Sequence, residues 1–303
     1  MTGAEGRPGF RLVELVTGGS GTGDARPVLV VGATGKTGRA VCSALVAAGL
    51  RVRAAVRAGR EPAAPAGTTP VVVDLLTGQG LAAALTGVRA AHHLAPNMHP
   101  DEVGIAARVA TAAAAVGLER LVFHSVLHPD DARMPHHLRK AEAETVLGAA
   151  LGERLTVLRP AAYHQNLVAP ALAGMLRVPY SLDMPFTNVD LADVAEVAVH
   201  ALQGAHAGLT LDLAGPEALT VRQLAERATA LLGREVSCVR IPLQEWRSGP
   251  GAALGEQARD DLTAMFVAYD ESGLTGDPTL LPQLLGRPAT PWETCLSRAT
   301  RTP

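Results

Sequence analysis

Aromatic residues are scarce: two Trp, three Tyr and four Phe make up 3% of 303 residues. With 48% of the chain hydrophobic, the core must be built mainly from Ala, Val and Leu, a palette that suits helices packed on a parallel sheet. Cysteine is as sparse. Cys42, Cys238 and Cys295 lie far apart, and an odd, small number of thiols excludes a disulfide framework and points to buried, inert side chains. There is no basic excess, since 27 Lys and Arg face 29 Asp and Glu for a net charge of −2. That excludes charge-driven binding of nucleic acid or of an anionic membrane surface. Apolar runs never approach the ~18–20 residues that span a bilayer. Residues 1–26 lack the basic stretch and apolar stretch of a signal peptide. Gly18-Gly19-Ser20-Gly21-Thr22-Gly23 reads as a flexible linker, so 1–26 is expected to be an extension and the protein cytoplasmic.

What is present is a repeating strand–helix rhythm. The run 28–31 is β-branched and fit for a buried strand. It feeds Gly32-Ala33-Thr34-Gly35-Lys36-Thr37-Gly38, and a helical pattern over 39–48 stops at Gly49. Further strands are predicted at 51–56, 70–73, 90–94, 121–125 and 155–158, with helices at 79–85, 101–116 and 137–147. Such alternation predicts an α/β fold with a doubly wound parallel sheet of the Rossmann type. After Pro160 the rhythm changes. A helix over 190–202 opens on an Asp cap, a strand follows at 209–213, Thr220 caps a helix running through Leu232, and another strand is predicted at 235–241. We read 27–162 as a dinucleotide-binding domain and 163–303 as a smaller α/β substrate lobe, interleaved with the sheet and covering its cleft.

The glycine loop carries the first chemical expectation. Gly32 permits a tight turn, Gly35 removes a side chain where a pyrophosphate must approach, and Gly38 lets the helix pack close to the strand. The helix start adds free N–H groups and partial positive charge. A P-loop is excluded because Val30 stands where its first glycine belongs. The second strand ends on Arg57 with no acid nearby, so Arg57 is expected to take a 2′-phosphate with its planar fork. Lys36 adds a second cation. The cofactor is therefore expected to be NADP(H), bound by Gly32, Thr34, Gly35, Lys36, Thr37, Gly38 and Arg57. Asp74 and Leu75 follow the third strand, where a carboxylate can meet the adenine amino group, and Leu94 and Ala95 follow the fourth. Tyr163 and Asn166 line the cleft floor.

The stretch 31–38, Ala55-Val56-Arg57, Ser125-Val126-Leu127-His128-Pro129 and Arg159-Pro160-Ala161-Ala162-Tyr163-His164-Gln165-Asn166 together resemble the NmrA-like group of atypical short-chain dehydrogenases. The resemblance runs from about residue 27 to 232. It implies an NADP-binding fold with a small substrate lobe, and activities that range from reduction of quinones, ketones or imines to redox sensing without turnover.

In typical short-chain dehydrogenases a Tyr and a Lys four residues apart share one helical face, the Tyr donating a proton and the Lys holding the nicotinamide ribose. Lys140 fits the lysine position, and His136 stands where the Tyr belongs. The expected proton donors are thus His136 itself, His128 after the fifth strand, or Tyr163 after the sixth. Ser125, at the carboxyl end of its strand, is expected to point into the cleft. Tyr163, Tyr180 and Phe186 are candidate stacking residues for a planar substrate. His92, His93, His99, His124, His128, Asp130 and Asp131 invite a metal reading, but no metal-binding spacing accompanies them, and no metal is expected. The expected partner is a small-molecule substrate, with monomer and homodimer both open. Three functions follow: an NADPH-dependent oxidoreductase acting on a small carbonyl, enone, quinone or imine; an NADP(H) sensor that regulates a protein partner; and a non-redox enzyme on the same fold.

Overall fold

Short β-branched and Ala-rich runs become the strands of one parallel sheet in the computed structural model, which describes residues 24–301. The extension expected over 1–26 lies almost wholly outside the described residues. The sheet takes seven strands: β1 (Val28–Val30), β2 (Val52–Val56), β3 (Thr69–Val72), β4 (Ala90–His93), β5 (Arg120–His124), β6 (Leu155–Pro160) and, after a short β7 (Met175–Val178) that lies elsewhere, β8 (Thr210–Leu213). Their order is β3-β2-β1-β4-β5-β6-β8. The direction of chain progression reverses between β1 and β4, and a cleft opens there at the carboxyl ends of the strands.

Alternation along the strands sends every second side chain to the same face. Val28, Val30, Ala54, Val122 and Leu158 pack with α1 (Lys36–Ala47) and α6 (Leu191–Gln203). Leu29, Val31, Ala91, Leu121 and Phe123 face the other layer, made by α2 (Leu81–Leu85), α3 (Glu102–Ala115) and α4 (Pro135–Leu151). The caps read from sequence are formed. Asp190 accepts from the Ala192 N–H at 2.8 Å, and Thr220 and Gln223 make a reciprocal capping box at the head of α7 (Val221–Leu232), satisfying backbone donors that would otherwise be orphaned.

Residues beyond 163 divide between two tasks. α6 and β8 return to the main sheet. α10 (Leu280–Leu285) packs there too, against β8 and α6. The remainder builds a cover over the cleft: α5 (Gln165–Leu172), β7 paired in parallel with β9 (Ser237–Arg240), α7, α8 (Leu243–Ser248), α9 (Glu256–Ser272) and α11 (Trp292–Arg301). Its own core gathers Leu167, Leu176, Leu224 and Trp292. No helix among the described residues is long and apolar enough to cross a membrane.

Candidate active site

The cleft has a volume of about 2010 Å³ and runs from the glycine loop to α8 and α9. That is more than a single small-ligand pocket of roughly 300–1,000 Å³. At one end Gly32 adopts φ +76°, and a Cβ there would lie 2.7 Å from the Leu94 carbonyl oxygen. A Cβ on Gly38 would stand 2.1 Å from the Gly32 oxygen, so α1 seats against the loop only because residue 38 has no side chain. Gly35 is the N-cap of α1, with no capping side chain and no acid in the first turn. This backbone cradle with an uncompensated helix start fits a pyrophosphate. Thr34, Lys36 and Thr37 line the cleft beside it.

Arg57, Asp74, Leu75, Leu94 and Ala95 line the neighbouring wall, joined by Arg60. Asp74 Oδ1 accepts from the Leu76 and Thr77 N–H groups at 2.8 and 3.3 Å. Those two bonds hold its carboxyl below the usual carboxylate range and commit one oxygen to its own turn. Lys36 Nζ donates to Asn166 Oδ1 and lies 5.6 Å from the centre of the Tyr163 ring, so three of the expected cofactor contacts form one group.

Lys140 lies at the cleft floor and is buried. Its Nζ sits 2.5 Å from Glu102 Oε1 and donates to the His124 carbonyl at 3.0 Å. His136 Nδ1 is 3.8 Å from the other Glu102 oxygen. His136 lines the cleft, but its surroundings disfavour a charged imidazole. Burial first, and the Lys140 charge second, pull its pKa down to about 3, so the ring is neutral at physiological pH and carries no imidazolium proton to give. Glu102 does not reverse this because its charge is matched by Lys140. Ser125 lines the cleft, but its hydroxyl donates to Glu144 Oε1 at 2.5 Å, and Glu144 is held by Arg159 at 2.5 Å; the serine is drawn aside rather than left free.

His128 is placed elsewhere. Its backbone is left-handed, at φ 52°, and its ring Nε2 donates to the Thr275 carbonyl at 2.7 Å. This turns the side chain to an exposed position outside the cleft lining. No group of three or more His, Cys, Asp or Glu among the described residues is placed to hold a metal ion.

The far end of the cleft is aromatic. Tyr180 and Phe186 stand 5.2 Å apart between ring centres, Phe186 and Tyr269 5.3 Å, Tyr180 and Phe266 5.8 Å, and Phe266 and Trp246 4.8 Å. With Tyr163, six of the nine aromatic side chains of the chain line this one cleft. Sequence reasoning found Tyr163, Tyr180 and Phe186 and missed Trp246, Phe266 and Tyr269, which come from α8 and α9. Glu102 was missed because it reads as an ordinary first-turn acid of α3.

Residues 24–290 match the profile of the NmrA-like family. The (4-alkanoyl-5-oxo-2,5-dihydrofuran-3-yl)methyl phosphate reductase of Streptomyces griseus is 32% identical over 278 residues, covering 88% of this chain and 95% of that protein. The NAD(P)H azoreductase of Xenophilus azovorans is 29% identical over 281 residues, covering 86% and 94%. Among solved structures, an NADPH-dependent quinone oxidoreductase of Escherichia coli in complex with NADPH aligns with a TM-score of 0.76 at 25% identity, covering 90% of this chain and 100% of its own.

Proposed function

Since this chain belongs to the NmrA-like family, we propose that it is an NADPH-dependent oxidoreductase that reduces a small, planar, conjugated acceptor of the quinone, enone or imine class. The observation that carries this reading is one cleft joining a glycine cradle to an aromatic wall. The acceptors named for its relatives, an oxo-dihydrofuran, an azo compound and a quinone, are all unsaturated.

When bound, NADPH supplies the hydride. The chain's own residues bind, orient and exclude water. The Gly32–Gly38 cradle takes the pyrophosphate, and Arg57 takes the 2′-phosphate with its guanidinium fork. Lys36 adds charge beside the cradle while Asn166 holds its ammonium in place. An ammonium has three N–H groups. Lys140 gives one to the His124 carbonyl and faces Glu102 as an ion pair, which leaves donor capacity for a ribose hydroxyl. Tyr180, Phe186, Trp246, Phe266 and Tyr269 stack the acceptor and keep the reacting end dry.

The test is titration of the purified protein with NADPH and NADH, followed by absorbance at 340 nm with a panel of quinones, enones and cyclic imines. Acceptor-dependent oxidation of NADPH, with NADPH bound more tightly than NADH, is the expected result. Tight binding with no turnover across the panel would replace this reading with that of a sensor.

A further inference from the structure

The floor of the cleft holds a hydrogen-bonded line that ends in the protein interior. Tyr163 Oη is 2.5 Å from His124 Nε2, and His124 Nδ1 is 3.3 Å from His92 Nε2. Both histidines project from neighbouring strands, β4 and β5, and are withdrawn from water. His92 Nδ1, at the inner end, has no hydrogen-bond partner. Resting on the reductase reading above, we propose that the Tyr163 phenol is the proton donor of this site, and that the His92–His124 pair holds it in the donating orientation.

The direction of the line follows from its dead end. A buried N–H without an acceptor is rarer and costlier than an acceptor left short of a donor. The His92 proton therefore sits on Nε2 and is given to His124 Nδ1. His124 then carries its own proton on Nε2 and gives it to the Tyr163 oxygen. With its oxygen already accepting, the phenol turns its O–H away from His124, toward the cleft that Tyr163 and Thr37 line.

The charge states agree with this geometry. Burial raises the Tyr163 phenol, lowers His92 to about 4 and lowers His124 well below its ordinary value, so all three are neutral near pH 7. The charged groups facing the line are Lys36, over the Tyr163 ring, and Lys140, bonded to the His124 carbonyl. Both favour a tyrosinate and disfavour an imidazolium. In the step itself, the hydride places an electron pair on the acceptor oxygen. That oxygen takes the Tyr163 proton as the phenolic O–H bond breaks, and NADPH leaves as NADP⁺. The tyrosinate is held by the His124 Nε2–H until a solvent proton restores it.

Tyr163 is thus a catalytic residue, and His124 and His92 are positioning residues. Two acceptors separate the role from simple cofactor placement. A neutral quinone needs a proton to complete its reduction, whereas a triarylmethyl cation accepts hydride alone. Tyr163→Phe is expected to lower kcat for the quinone about 100-fold, within the usual range for a general acid, and to lower it at least tenfold less for the cation. His124→Phe should follow Tyr163→Phe, and His124→Gln, which restores an N–H near the Nε2 position, should recover part of the loss. Equal losses with both acceptors, or no loss with the quinone, would overturn the proposal. Wild-type turnover with neither acceptor would overturn the reductase reading and this one with it. A readout free of turnover is the imidazole nitrogen spectrum of ¹⁵N-labelled protein without cofactor. His92 and His124 are expected as neutral Nε2–H tautomers from pH 5.5 to 8.5, and Nδ1–H tautomers or imidazolium there would overturn the orientation argument.

Discussion

Lys140 Nζ and Glu102 Oε1 stand 2.5 Å apart with the lysine side chain 5% and the glutamate 1% exposed. Taking two charges out of water is costly, and a buried pair repays that cost only while both members are present. Glu102→Gln strands the ammonium and should lower unfolding stability by about 3–5 kcal/mol. Glu102→Gln combined with Lys140→Met removes both charges and should recover most of it. Urea unfolding of the two variants measures this. A double variant no more stable than the single would show that the pair is not what the site depends on.

On the proposed reading, cofactor choice rests on Arg57, which follows β2 and lines the cleft wall beside Asp74. Arg57→Ala should weaken NADPH binding by roughly tenfold or more, since a charge-assisted contact is worth about 1.5–3 kcal/mol, and should leave NADH binding nearly unchanged. Fluorescence titration with the two nucleotides decides it. Equal losses for both would remove the 2′-phosphate from Arg57.

Gly38→Ala tests the close seat of α1. The new Cβ would sit 2.1 Å from the Gly32 oxygen and 2.8 Å from the Ala33 Cα. These are backbone atoms that cannot swing aside, so α1 must shift and widen the cradle. NADPH affinity should fall by at least tenfold, read by the same titration, with a lowered Tm. Gly35→Ala meets only the Gly32 oxygen, at 3.5 Å, and should destabilise the protein far less.

This contrast marks how much was legible in the sequence. The glycine loop, Arg57 and all seven strands of the main sheet are local patterns, and caps such as Asp190 and Thr220 announce themselves within four residues. The α5 and β7 segments were not read, because Pro170 interrupts the helix and β7 has only four residues. The site's working contacts are further apart still. Glu102 reaches Lys140 across two helices, His92 meets His124 across two strands, and Trp246 joins the cleft from α8, far along the chain from the glycine loop. The motif comparison placed His136 where a tyrosine was due. It could not reveal that Tyr163 would bond to a histidine then weighed as a metal ligand.

Acid should unfold this protein through its buried imidazoles. Burial is the first cause that lowers His92 and His164 to about 4, and His93 and His136 to about 3. Each folded-state value lies below the unfolded one near 6.5. Between those values the unfolded chain binds protons that the folded chain refuses, so stability is full above pH 6.5 and falls as pH drops toward 4. Each group contributes on the order of 3 kcal/mol by the bottom of that window. The urea midpoint should decline steadily from pH 7 to 4.5, and His93→Phe, which keeps a ring against Phe123, should flatten the decline. A midpoint independent of pH over that range would contradict the burial assignment.

The aromatic wall should govern the acceptor and not the cofactor. Phe266 stands 4.8 Å from Trp246 and 5.8 Å from Tyr180, at the end of the cleft away from the glycine cradle. An aromatic pair is worth about 0.5–1.5 kcal/mol beyond its buried area. Phe266→Ala should therefore raise KM for a planar quinone by roughly 3–10-fold, and NADPH affinity should change by less than about twofold. Phe266→Leu keeps apolar volume without a ring face. If the ring itself recognises the acceptor, Leu should restore stability but not KM. If the wall only excludes water, Leu should restore both, and the substrate class would then be set by apolar volume alone. Steady-state kinetics with a planar quinone and a non-planar enone of similar size separates the two, because only stacking penalises the enone before any residue is changed.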